Sequence, residues 1–172
     1  TDSGVVKWYT ESVATDSSGV TLTVNTWHHV AVKRTGTTIS FVIDGTVSGN
    51  TFTRSEDYNA GGSGTFSIGA VVAGSGSGEN FVGYISDVAV WDTAITDAKL
   101  QAIYNDKTLA NATDSGDLVA YYPLSVDYTD SVASANLTTS GDTTITSGVG
   151  WLDDKTTVTD VPAGSEFEQT DD

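Results

Sequence analysis

The chain has 172 residues, room for one β-sandwich and at most a short second unit, and its 23 acidic and 7 basic side chains leave a formal charge of −16. That field repels phosphate backbones and anionic lipids, so nucleic acid and membrane surfaces are disfavoured as partners. Cysteine is absent, which excludes disulfides and thiolate zinc sites, and no apolar run reaches the length of a membrane span.

Only 38% of the residues are hydrophobic, but they cluster in strand-like runs that a thin two-sheet core can use. Abundant Gly, Ser and Thr with scarce Pro suit short strands and tight turns. Methionine is missing even at the first position, so a chain opening Thr1-Asp2-Ser3-Gly4 reads as a processed product or an internal piece. The surplus carboxylates offer oxygen ligands to divalent cations, but a marine or extracellular habitat is the plainer explanation of them.

In chain order, residues 5–13 read as a strand, and 20–24 alternate with period two as a second. Residues 27–34 (WHHVAVKR) form the strongest early strand, with Trp27, Ala31 and Lys33 on one face and Val30, Val32 and Arg34 on the other. Residues 38–44 follow, with Ile39, Phe41 and Ile43 on one face. Asp44-Gly45 is a hairpin dipeptide leading into a strand at 47–53. A polar loop carries Tyr58, and residues 65–72 return as a strand. After the Gly/Ser tip at 73–78, residues 80–91 (NFVGYISDVAVW) read as a central strand buried on both faces. One short helix is expected, with Thr96 as N-cap, Asp97 in the first turn and Leu100, Ile103 and Tyr104 as its apolar stripe. Residues 118–124 (LVAYYPL) form a strand whose Pro123 marks an edge or an end, and 135–139 form another. From Trp151 onward the chain is an acidic linker or tail. The expected core contains Trp27, Val30, Val32, Phe41, Ile43, Ile85, Val88, Val90 and Trp91.

The order Trp27-His28-His29-Val30-Ala31, then Phe41 to the Asp44-Gly45 turn, then Phe81-Val82-Gly83-Tyr84-Ile85-Ser86-Asp87 running to Trp91, then the helix, resembles the laminin-G-like jelly rolls of the concanavalin-A-like class. The resemblance covers roughly residues 5–105 and implies an all-β, two-sheet antiparallel jelly-roll sandwich with one short helix. Family domains open with several strands before the region matching Val5, and these are absent here. Leu118 to Leu124, with Asp130-Ser131 and Asn136 after it, resembles that opening strand. Either it completes the first sandwich, in its own chain or a neighbour, or it opens a second copy. The expected division is therefore residues 1–107, 108–150 and 151–172. Residues 161–171 are similar to segments of tailed-phage structural proteins, which implies a virion setting.

His28 and His29 are neighbours on a strand and point to opposite faces, so they do not form one dyad or metal pair. Glycoside hydrolysis needs paired carboxylates, and no Glu-x-Asp-x-x-Glu pattern occurs. Calcium is the best chemical candidate as cofactor, with Asp87 in the closing strand and Asp130 as its partner, since the resemblance places acids there. The alternative is that Asp87 is held by loop hydrogen bonds. Sugar binding would use Tyr58 and Trp8 as stacking rings, although core packing is the plainer role for Trp8 and Trp91. The expected function is a non-catalytic structural or adhesion domain on an extracellular or virion surface. It contacts other surface proteins, copies of itself or host glycans. The rival expectation is a calcium-dependent carbohydrate-binding module of a secreted or cell-surface protein.

Overall fold

The computed structural model describes residues 4–10, 13–55, 66–69, 81–107, 109, 117–139 and 144–145. Within them, seven strands form three antiparallel sheets with one helix. β1 (Val5–Thr10) pairs with β2 (Val13–Thr21). β3 (Val30–Thr35), β4 (Thr38–Ile43) and β5 (Thr46–Thr53) form a meander in that order. β6 (Val88–Trp91) pairs with β7 (Leu118–Tyr122), and α1 spans Asp97–Asp106 between them in the chain. β2 also lies beside β5, where Ser48 Oγ donates to the Ser18 carbonyl at 2.6 Å and Asn50 Nδ2 to that of Ser17 at 3.1 Å. The mostly-β antiparallel architecture with a single helix agrees with the expected sandwich class.

The β4–β5 turn shows local chemistry deciding local structure. Asp44 and Gly45 both take positive φ, 50° and 72°, the combination that matches a hairpin's right-handed twist. Gly45 is also required by packing. A Cβ there would stand 2.9 Å from Cδ1 of Tyr104, so only a glycine lets α1 rest on the turn.

β4 is the centre of the core. Ile39, Phe41 and Val42 are fully buried, and the Phe41 ring meets Phe52 edge-on at 6.2 Å. The helix covers the Val42 face, where Ile95, Leu100 and Ile103 close over it with Ala31 and Trp91 alongside. Thr96 caps α1 by accepting the Lys99 N–H, and Lys107 ends it in the left-handed conformation. An ion pair between Lys33 and Asp97 ties the helix start to β3.

Several expectations are corrected. Trp27, Val30 and Val32 are not core: they are 37%, 42% and 39% exposed. β3 is the edge of its meander, and its inward face is the Ala31 face that meets the helix cluster. The strand expected at 20–24 lies at Val13–Thr21 instead, because pairing with β1 overrides the weak β preference of Asp16, Ser17 and Ser18. Residues 66–69 and 135–139 form no strand. The long central strand expected at 80–91 shrinks to Val88–Trp91. Gly83 at φ 150° and Asp87 at φ 56° break the extended backbone, leaving Phe81, Val82 and Tyr84 exposed.

Candidate functional site

The paired histidines and the hairpin aspartate meet. Asp44 Oδ2 bonds His28 Nδ1 at 2.7 Å, while Asp44 Oδ1 accepts the His29 backbone N–H at 2.9 Å. The Asp44 N–H in turn donates to the His29 carbonyl at 2.9 Å. One carboxylate therefore locks the entry of β3 to the end of β4. The His29 ring lies 6.2 Å from that of Tyr104, and Lys107 stands 3.9 Å above the Tyr104 ring. Burial lowers the His29 pKa below its ordinary 6.5; Asp44 opposes the shift and Lys107 adds to it. His29 thus binds its proton less readily when folded, and the unfolded chain takes up its proton first as the pH falls. We expect stability to decline on acidification below about pH 6.5 and to level off below the folded pKa. His29→Gln should flatten that part of a melting-temperature profile. An unchanged slope in the variant would assign it to other groups.

Asp130 organises the segment after β7. Buried at 7% exposure, it accepts the N–H groups of Tyr121 and Val132 on Oδ1 at 3.0 Å each, and its own N–H goes to Asn136 Oδ1 at 3.0 Å. The Tyr121 bond chiefly holds its pKa below the ordinary 3.8, against the effect of burial. Ser131 N–H donates to the Tyr121 carbonyl at 2.8 Å, so both backbone groups of Tyr121 are capped on one side of β7. Pro123 next to it has no N–H, and a guarded edge results.

Asp87 is not inside the closing strand. It sits one residue before β6, is exposed, and takes the Tyr121 hydroxyl on Oδ1 and the Ser86 hydroxyl on Oδ2, both at 2.6 Å. Desolvation and this carboxylate push the Tyr121 hydroxyl pKa up. Asp87 and Asp130 are thus brought to the two ends of one tyrosine rather than converging on a point. Asp130 Oδ2 is buried without a hydrogen-bond partner, but among the described residues no three His, Asp or Glu side chains gather. Calcium takes about six to eight oxygens, and three of the four carboxylate oxygens of Asp87 and Asp130 already hold donors of the domain. We therefore expect exhaustive chelation to leave the melting temperature unchanged, and a drop would reveal a native-state cation. Trp8 is half-buried in β1 opposite Asp16, and Tyr58 lies outside the described residues.

The sequence pattern hid three exposed rings. Phe66, Phe81 and Tyr84 are 54%, 59% and 63% exposed, on two segments joined by a 2.7 Å bond from Phe81 N–H to the Gly69 carbonyl. Both segments look like strands by their apolar content. Gly83 inside the second was the one signal that the strand is interrupted.

A laminin-G family model, described as the Concanavalin A-like lectin/glucanases superfamily, matches residues 2–101. The chain belongs to this family. No curated protein and no solved structure matches it. The part of the laminin-G domain that the family model matches thus ends within α1, yet the partner of its β6 comes from residues 118–122. The ladder runs from Val88↔Tyr122 to Trp91↔Leu118, extended by Asp87 N–H to the Pro123 carbonyl and Asp92 N–H to that of Asp117. Membership of a superfamily of lectins and glucanases points to a carbohydrate-binding or structural domain, and no helix among the described residues is long and apolar enough to cross a membrane.

Proposed function

We propose that the domain is a non-catalytic recognition and display module on an extracellular or virion surface, and that its ligand is a glycan. One contrast supports the reading. The histidines and acids of the motifs are spent on the frame, while aromatic rings are left in solvent. Hydrolysis of a glycosidic bond requires two carboxyl groups facing each other across it. Asp44, Asp87, Asp117 and Asp130 each hold hydrogen-bond donors of the domain itself. The acidic field disfavours nucleic acid and anionic membranes as alternatives.

The test is retention of the whole chain on a panel of immobilised glycans, with and without chelator. Binding that survives chelation is expected. A domain that works only through contacts with its own assembly would be retained by none of them.

A further inference from the structure

We infer that Phe66, Phe81 and Tyr84 form a preset platform for the ring faces of a neutral glycan, where residues 66–69 meet residues 81–84. The inference rests on the proposed function and adds the place and the ligand class. Three residues separate Phe66 from Gly69 and Tyr84 from Phe81, so chain length alone keeps the three Cα atoms within about 10 Å of the Gly69–Phe81 bond.

Two of the rings are fixed before any ligand arrives. Phe66 stacks on Tyr122 at 6.1 Å and 23°, and Tyr122 is itself buried in β7. Phe81 lies over Gly83, where a Cβ would come within 2.9 Å of its Cε1. Gly83 has φ +150°, so a side chain there would both strain the backbone and displace the ring. Rings held in place and still more than half exposed lose little rotamer freedom on binding. They offer flat apolar surface to the C–H faces of a sugar ring.

The polar partner is Asp87, three residues beyond Tyr84. Its exposed carboxylate holds the Tyr121 and Ser86 hydroxyls, one on each oxygen, and the lone pairs left over can accept from a sugar hydroxyl. That carboxylate and the net charge of −16 repel uronate or sulfated chains, so the platform selects neutral sugars.

The experiment measures binding of the full chain to soluble neutral β-glucan, mannan and galactan, and to a polyuronate and a sulfated galactan. Retention by at least one neutral polymer and by neither anionic one is expected. Phe81→Ala and Tyr84→Ala should each weaken that binding by about tenfold with an unchanged melting temperature. Phe81→Leu and Tyr84→Leu, which keep apolar bulk without a flat face, should behave like the alanine variants. Val126→Ser, at a position 77% exposed and on neither ring-bearing segment, should bind like the parent. Parental binding to a neutral glycan that all four ring variants retain would overturn the platform and leave the proposed function standing. Preference for the anionic polymers would overturn the ligand class. Capture of a protein with no polysaccharide retained would overturn both the platform and the proposed function.

Discussion

Phe41→Ala is expected to destabilise the domain by about 3–5 kcal/mol, the range for emptying a closed aromatic site. Phe41 has no exposed surface and lies in the central strand of the meander. Neighbours on the same face limit collapse into the cavity: Ile39 and Ile43 are both buried, and the Phe52 ring is held edge-on against Phe41. The cost is the lost transfer energy plus the residual void. Denaturant titration should show a lower midpoint at unchanged slope. A loss below about 1 kcal/mol would mean that this face of β4 is open to water.

Ending the chain at Gly116 should remove more than a tail. β6 would lose its ladder partner, and the surface now covered by Ala120 and Tyr122, which are 8% and 3% exposed, would open to water. The edge left behind is Val88–Trp91, short, uncharged and apolar, the kind that pairs with other copies. The guard that Asp130 and Ser131 place on the far side of β7 would go as well. The truncated chain should self-associate on size-exclusion chromatography and melt well below the parent. A soluble monomer with the parental melting temperature would show that β7 contributes nothing to the first 116 residues.

Where a residue's role follows from its chain neighbours, it was legible in the sequence. Asp44-Gly45 announces its turn because few other residues accept two positive φ angles in succession. Thr96 announces the helix start because its hydroxyl serves the orphan Lys99 N–H. Leu118 to Tyr122 is visibly a strand, but no sequence pattern names β6 as its partner. Period-two alternation separates the faces of β3 without saying which is covered: the bulkier Val30 and Val32 face reads as inward, whereas the helix lies over Ala31. Asp87 looked like a buried acid because the residues around it are apolar, yet its positive φ takes it out of the strand. Asp130 could be recognised as special, but its task depends on Tyr121, nine residues back and on a different element.

The central claim is recognition without hydrolysis, and one paired measurement addresses it directly. The intact domain is titrated with the neutral glycan that retains it best, and the same mixture is assayed for new reducing ends over many hours. Saturable binding with no rise in reducing ends is the predicted result. Steady release of reducing ends, in proportion to protein and abolished by heat denaturation, would contradict it and place a carboxylate pair in the domain.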